Sequence, residues 1–349
     1  MNSLSFANVK LKKTEGIVDK SAPKVTGFIS DEEVQKYQSQ VLDINFECWV
    51  NELSDVTFTS FLFPVTIEQA EELIRAYNNP DFSIAESPIT QDLINKLQAF
   101  LDQNLEENAK FFAKMSSRSA KDAPAHSIKT KQIYKDCLTN LIGENPEIRN
   151  SEEKLLNAQI HSLLTAGTLS LQMENARQVI DLFIKSERIN QDLTLAIEHK
   201  DRFQENIVIR KWVTIDVDME FRAFVCNNKL NAISQYNYVC HFPRLEKMKG
   251  ELENRINEFF SNVVHPRLAS KFSSYVIDFA VTGENYDKLY VIELNPFLSS
   301  TDSSLFSWKT DEDILRNGPY EFRINTGQVP PLRAISLDWR EIITSCPPV

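Results

Sequence analysis

Two acidic residues and one amide lie in a pair of apolar segments whose composition is typical of β-strands. Segment 274–282 contains Asp278, segment 288–294 contains Glu293, and Asn295 follows directly. The stretch between the segments is rich in turn-forming residues, so we predict an antiparallel hairpin. Carboxylate and amide oxygens are the hard ligands that bind divalent cations, which makes this hairpin the first place to look for chemistry.

The expected register of this hairpin brings the three polar residues together. A turn centred between Asn285 and Tyr286 sets Asp278 directly opposite Glu293. Because side chains alternate along a strand, Asn295 then shares the face of Glu293. The neighbouring residues are apolar, so we expect the two carboxylates to be shielded from water.

Two carboxylates about 5 Å apart repel each other by roughly 3 kcal/mol at an effective dielectric constant near 20. A shared proton, a nearby Arg222 or Arg210, or a divalent cation would each offset that repulsion. Mg²⁺ suits a sparse ligand set such as Asp278, Glu293 and Asn295, because it retains water and substrate phosphates as further ligands. We therefore predict a metal site, with a buried polar network as the alternative.

Basic and aromatic residues on other predicted strands could receive an anion. Arg210 and Trp212 share one face of segment 207–213, and Glu220 and Arg222 share one face of the next strand. Charges in the middle of a strand are costly unless they are paired. Arg222 could pair with Glu220 across a solvated face, or it could neutralise a γ-phosphate while Arg210 and Trp212 line a nucleotide cleft.

Lys114 follows an apolar run and precedes a serine-rich loop, 116–123, that Ser116 opens. A lysine at the end of a strand can contact phosphate as a point charge, with loop amides as weaker donors. An ordinary surface lysine is the alternative interpretation. The sequence contains no GxxxxGK[ST] motif, which excludes a P-loop nucleotide-binding site.

The remaining pattern indicates an α+β protein in which helices and an antiparallel sheet occupy different parts of the chain. Residues 31–105 combine helices with fewer strands, and apolar residues recur at helical spacing over 151–200. The period then changes to two, which predicts an antiparallel meander, a helix and the final hairpin; the segments are 207–213, 219–225, 229–236, 245–263 and 274–294. We predict a flexible arm (1–28), an N-terminal lobe with a helical segment (29–205) and a C-terminal lobe with the metal site (206–349).

Composition restricts the partners of this chain. The formal net charge of −11 over 349 residues argues against direct nucleic-acid binding, which needs a clustered basic surface. Five scattered cysteines indicate neither a zinc site nor a disulfide framework, so a cytoplasmic protein is expected. No apolar stretch is long enough to cross a membrane, and we expect a monomer.

Six motifs in a fixed order give this chain a resemblance to the cell division cycle protein 123 family. Two further segments, SSRSAKDA (116–123) and VIDLFIKSERINQDL (179–193), are similar to the serine-rich and helical segments of that family. The six motifs are RKW (210–212), MEFRAFV (219–225), AISQYNY (232–238), VIDF (276–279), ELNPF (293–297) and TDSSLFSW (301–308).

The resemblance implies a two-lobed fold similar to that of ATP-grasp enzymes, with an antiparallel sheet in the C-terminal lobe and with ATP and Mg²⁺ held between the lobes. It assigns Asp278, Glu293 and Asn295 to the metal, where Glu293 replaces the usual aspartate of the family. The nucleotide contacts that it implies are Lys114, Ser116, Arg210, Trp212, Glu220 and Arg222. It further implies a protein partner, the gamma subunit of the translation initiation factor that carries initiator tRNA.

Three classes of function are compatible with these residues. The first is an ATP- and Mg²⁺-dependent assembly chaperone that needs no turnover. The second is an ATP-grasp ligase or phosphoryl-transferring enzyme that acts on a protein or a small carboxylate through an acyl phosphate. The third is a protein kinase or nucleotidyltransferase that uses the same cleft.

Overall fold

The computed structural model describes residues 39–327 and 335–346, so the predicted arm (1–28) lies outside the described residues. The strands are β1 (Ser60–Pro64), β2 (Phe111–Met115), β3 (Gln172–Met173), β4 (Asn206–Lys211), β5 (Glu220–Cys226), β6 (Lys229–Gln235), β7 (Tyr275–Thr282), β8 (Lys288–Asn295) and β9 (Glu321–Arg323). The helices are α1 (Ile67–Asn78), α2 (Pro88–Asn104), α3 (Ile128–Glu144), α4 (Glu152–Ser170), α5 (Ala176–Phe183), α6 (Glu187–Glu198), α7 (Pro243–Phe259), α8 (His265–Leu268), α9 (Glu312–Asn317) and α10 (Leu337–Ser345).

The first sheet has four antiparallel strands in the order β1-β4-β2-β3. Helix α1 begins with a capping box between Thr66 and Gln69, and α2 begins with Pro88 after the capping residue Ser87. The apolar residues of α1, α2, α5 and α6 pack together with those of the first sheet and form one core. This packing holds β2 and the loop after it in place.

The second sheet has the order β8-β7-β5-β6-β9, antiparallel except for the β6–β9 pair. The tight turn from β5 to β6 uses Asn227 and Asn228, both with positive φ. One face of the sheet packs against α7, where Phe221 and Ala223 of β5 join the core. Alternation then turns Arg222 to the opposite face. The mixed α+β fold with antiparallel sheets is confirmed.

The predicted meander is wrong for its first strand. Strand β4 pairs with β1 and β2 in the first sheet, whereas only β5 and β6 pair with each other in the second sheet. The alternation of residues 207–213 indicates a strand but does not identify its neighbours, because partners distant in sequence leave no local signal. The predicted C-terminal lobe begins at residue 206. This residue is the first of β4, which belongs to the first sheet.

A third apolar core lies between helices α3, α4 and α10. Its buried residues are Tyr134, Leu138, Ile142, Ala158, Leu163, Ala166, Ile342, Ile343 and Cys346. Through this core the C-terminal helix packs on the helical segment, although β9, the preceding strand, belongs to the second sheet. Over residues 39–327 and 335–346, none of the helices has the length and apolar character needed to cross a membrane.

Candidate functional site

The final hairpin aligns Asp278 with Glu293, as predicted. The pairing depends on a bulge that the sequence analysis did not include. The loop 283–287 is centred on Asn285, so the register near the turn differs by one residue from the predicted one. Ile292 is the extra residue in β8, and its bulge restores the predicted pairing at the site.

Asp278 forms a buried bidentate ion pair with Arg222, which lies directly opposite it on β5. Arg222 Nε and Nη2 donate to Asp278 Oδ1 and Oδ2 at 2.8 Å each. Asn295 Nδ2 also donates to Asp278 Oδ2, at 3.2 Å. The alternative in which Arg222 pairs with Glu220 is therefore wrong, because cross-strand neighbours approach more closely than two residues on the same face of one strand.

Glu293 is bound by a lysine from the other sheet. Lys114 Nζ on β2 donates to Glu293 Oε2 at 3.1 Å and to the Ser117 carbonyl oxygen at the same distance. Lys114 is only 2% exposed, so this ion pair is shielded from solvent. The contact joins the first sheet to the second at the predicted site.

Arg210 makes a second connection between the sheets. Its Nη1 donates to the carbonyl oxygen of Ile292, and its Nη2 donates to Thr57 Oγ1, both at 2.7 Å. The guanidinium carbon lies 5.3 Å and 5.0 Å from the ring centres of Phe46 and Phe58. Such cation–π contacts favour the charged form of a buried arginine. The predicted Arg210 thus lies at the junction of the two sheets.

The two carboxylates titrate differently because their partners differ. Burial would raise the pKa of Glu293, but the charges of Lys114, Lys121 and Arg222 outweigh burial and hold that pKa well below its usual range. Burial raises the pKa of Asp278, against the opposing effect of Arg222. The bidentate geometry of the Asp278 pair favours the ionised form near neutral pH.

Burial lowers the pKa of two of the cations in this network. Burial lowers the pKa of Lys114, with Glu293 opposing the shift, and burial lowers the pKa of Arg210 to about 10. The groups counted here are Glu293 and the buried charges that act on it. The cationic side chains are Lys114, Lys121, Arg210 and Arg222, and the carboxylates are Glu220, Asp278 and Glu293. Four cations and three carboxylates leave a net charge of +1 when all are ionised. Burial raises the pKa of Glu220, so its protonation would increase the positive excess. The site is suited to an anion.

A cleft of about 400 Å³ opens above this network between the two sheets and α4. Of the residues predicted from sequence, Arg210, Trp212, Glu220 and Glu293 line the cleft. Four others form the network around Glu293 and are not lining residues: Lys114, Arg222, Asp278 and Asn295. These eight predicted residues therefore lie together at one site.

Ser116 does not reach the cleft. Its hydroxyl group is buried and accepts a hydrogen bond from the backbone N–H of Asn206 at 2.9 Å, which anchors the start of β4. Its backbone carbonyl accepts a hydrogen bond from Phe46. Ser116 thus lies at the end of β2 beside the start of β4, and it is not a residue that lines the cleft.

Sequence analysis missed Lys121 and Tyr236, which line the cleft beside Glu220 and Glu293. Lys121 Nζ donates to the Tyr236 hydroxyl oxygen at 3.1 Å, and the Tyr236 ring centre is 4.9 Å from Lys121 Nζ and from the Arg222 guanidinium carbon. Both residues occur in the quoted motifs SSRSAKDA and AISQYNY. The signal was present, but neither residue had a distinctive spacing.

The residues at Glu293 include hard oxygen donors of the kind that Mg²⁺ prefers. Within the described residues, Glu293 Oε2 accepts from Lys114 while Oε1 accepts no hydrogen bond, and Asn295 contributes an amide next to Asp278. Hard oxygen ligands in small number, completed by water and phosphate, are typical of Mg²⁺ sites. Over residues 39–327 and 335–346, three or more His, Cys, Asp or Glu side chains nowhere form a group that could hold a metal. A site here would depend on two carboxylates and an amide.

Known proteins are similar to this chain in sequence and in fold. Residues 163–336 match the profile of the family described as D123. A relative from Danio rerio, named translation initiation factor eIF2 assembly protein, is 31% identical over 146 residues, covering 40% of this chain and 41% of the relative. A relative of the same name from Xenopus tropicalis is 25% identical over 286 residues, covering 78% of each chain. Alignment with the first of these relatives thus spans about two-fifths of its length.

The solved structure of Cdc123 from Schizosaccharomyces pombe superposes with a TM-score of 0.58 at 19% sequence identity, covering 82% of this chain and 97% of that one. At this identity the superposition establishes a shared fold. The sequence profile and the named relatives agree with it, and the predicted resemblance is confirmed. The chain belongs to the D123 family, that of cell division cycle protein 123.

Proposed function

We propose that this chain binds ATP with Mg²⁺ in the cleft between its two sheets and acts in the assembly of the translation initiation factor eIF2. The observation that carries the nucleotide proposal is the excess of buried cations around Glu293. Buried cations are costly unless an anion neutralises them, and a triphosphate is the anion that a cleft of this charge and size suits. The two-sheet arrangement would then correspond to the ATP-grasp-like fold expected from the sequence.

Residues of this chain would perform three tasks in that complex. Lys114, Lys121 and Arg210 would neutralise phosphate oxygens, Lys114 and Lys121 as point charges and Arg210 through its planar fork. Arg222 would keep the Asp278 carboxylate oriented and ionised. When bound by Asp278, Glu293 and Asn295, Mg²⁺ would supply charge neutralisation of the phosphates.

The nucleotide would also hold the two sheets together. The ion pair of Lys114 with Glu293 and the hydrogen bonds of Arg210 already join them. An anion that contacts both sheets adds favourable contacts only when the sheets are close, so its binding stabilises the closed arrangement. A partner-binding surface that extends over both sheets would then depend on nucleotide.

Thermal unfolding tests the nucleotide proposal. ATP with Mg²⁺ raises the unfolding temperature of the full chain, and Lys114→Met reduces that rise, because a ligand stabilises the native state in proportion to its affinity. Lys96→Met is the matched control, since Lys96 forms an exposed ion pair with Asp92 on α2. An equal rise in all three proteins would contradict the assignment of Lys114 to phosphate.

The partner proposal rests on the names of the relatives from Danio rerio and Xenopus tropicalis, both called eIF2 assembly proteins. From the motif resemblance we infer that the gamma subunit of eIF2 is the contact. Tagged full-length protein should retain eIF2 gamma in the presence of ATP and Mg²⁺, and less of it when EDTA is added. Absence of retention under both conditions, with folded protein and free gamma subunit, would overturn the partner assignment.

An ATP-grasp ligase is the second candidate, and one observation favours it. A cavity of about 850 Å³ adjoins the cleft and shares Thr168, Trp212 and Ile215 with it, which would give a substrate a place beside the nucleotide. The ligase would release ADP and yield mass-shifted products in a cell extract. ATP binding without ADP release or new products would favour the assembly factor.

A further inference from the structure

The C-terminal helix α10 forms part of the wall of the cleft. Trp339, Ile335 and Ser336 are lining residues, and they face the cleft together with Leu163 and Leu164 of α4. This wall is apolar, whereas the opposite residues Lys121, Arg210, Glu220 and Glu293 are charged. A ligand with a charged end and a flat apolar end would therefore direct its apolar end towards α4 and α10.

Trp339 packs on a glycine in the last turn of α4. A Cβ atom added to Gly167 would lie 3.1 Å from Trp339 Cη2, closer than an ordinary contact. Glycine within a helix costs about 1 kcal/mol relative to alanine, so its presence here needs a local reason. The close approach of the indole ring to the helix backbone is that reason.

Helix α10 is short, and the residues that it buries lie near its C-terminal end. It has nine residues, of which Ile342 and Ile343 are buried, and Cys346 directly after it is also buried. Leu337 at its start is 63% exposed. A helix this short is not stable alone in water, so its docking depends on packing against α3 and α4.

We propose that α10 is a nucleotide-responsive element in which Trp339 positions the apolar end of the ligand, so that ligand binding and docking of the helix stabilise each other. This inference rests on the proposed nucleotide function. A ligand that touches Trp339 gains contacts only when α10 is docked. Docking of α10 raises the affinity for the ligand by some factor. By linkage, the ligand raises the equilibrium constant for docking of α10 by the same factor.

Hydrogen exchange on the full chain tests the coupling. Amides of α10 should exchange more slowly after addition of ATP and Mg²⁺. Trp339→Ala should weaken nucleotide binding by roughly tenfold, the loss expected for one aromatic contact, and Trp339→Phe should recover part of that loss. Leu337→Ala is the matched control on the same helix and should bind nucleotide as the unaltered protein does.

Ile343→Ala distinguishes the effect of α10 docking from the direct contact between Trp339 and the ligand. Ile343 lies in the third core and is not a lining residue, yet loosening α10 through it should weaken nucleotide binding by about fivefold, the lower end of usual coupling between sites. Binding is measured on material whose circular dichroism shows a folded chain. If the unaltered protein binds no nucleotide, the proposed function and this inference both fail. If it binds nucleotide while α10 exchange and the Trp339→Ala affinity stay unchanged, this inference alone fails.

Discussion

The buried pair of Asp278 and Arg222 makes a quantitative prediction about the protein without ligand. Asp278→Asn keeps the shape of the side chain but removes the charge that two guanidinium hydrogen bonds satisfy. Arg222 is 5% exposed and cannot lose its proton at neutral pH, so it would be left as an uncompensated buried charge. We expect the free energy of unfolding to fall by about 3–5 kcal/mol, the range found when one partner of a buried ion pair is removed.

Urea denaturation at pH 7.5, without nucleotide or metal, measures this loss. Asp92→Asn on α2 is the matched control, because that aspartate forms an exposed pair with Lys96 and its loss should cost less than about 1 kcal/mol. A second variant, Arg222→Met with Asp278→Asn, should recover stability relative to Asp278→Asn alone, since neither charge of the pair remains. A fall below about 1 kcal/mol for Asp278→Asn would refute the reasoning that Asp278 is the ion-pair partner that offsets the buried charge of Arg222.

Three further predictions follow from the same network. Glu293→Gln should cost less stability than Asp278→Asn in urea, because burial already lowers the pKa of Lys114 and that lysine can release its proton; an equal or larger loss would contradict this. Burial, with repulsion from nearby carboxylates, raises the pKa of Glu205 well above its usual value, so stability is lost as pH rises from about 4.5 through that pKa. Glu205→Gln should therefore raise the unfolding temperature more at pH 8 than at pH 5 in calorimetry, and a gain independent of pH would count against it. Thr57→Val removes hydrogen bonds to the hairpin and to an arginine and should cost about 1–3 kcal/mol in urea, whereas no loss would show that water replaces them.

The final hairpin shows what can be predicted from local sequence and what cannot. Alternation and a turn-rich loop were sufficient to pair Asp278 with Glu293, because cross-strand register in a short hairpin follows from the turn. The bulge at Ile292 left no sequence signal, and the assumed turn centre differed by a fraction of a residue from the observed one. The two deviations compensate at the site, which is why the predicted pairing is found.

Long-range partners explain what the sequence did not reveal. Strand β4 and strand β5 have the same alternation, yet they belong to different sheets, because pairing is decided by packing between distant segments. Thr57 contacts the hairpin across more than 200 residues of chain, and Trp339 reaches the cleft from the C-terminal helix. Neither residue has a motif of its own. Three-dimensional packing alone brings them to the site.

The carboxylate repulsion is offset by one of the alternatives considered for the sequence and by one cation that was not considered. Arg222 neutralises Asp278, as one alternative proposed, and Lys114 neutralises Glu293. Under the proposed function, Lys114 would exchange its carboxylate partner for phosphate when a metal binds Glu293. We therefore expect nucleotide and Mg²⁺ to bind with positive cooperativity, because each would free a partner for the other.

Isothermal titration calorimetry of the full chain with ATP, in the presence and absence of Mg²⁺, tests the central claim most directly. The account predicts saturable binding of one nucleotide with Mg²⁺ present and much weaker binding when EDTA removes the metal. Folded protein that takes up no ATP in either titration would contradict the assignment of this cleft to a nucleotide.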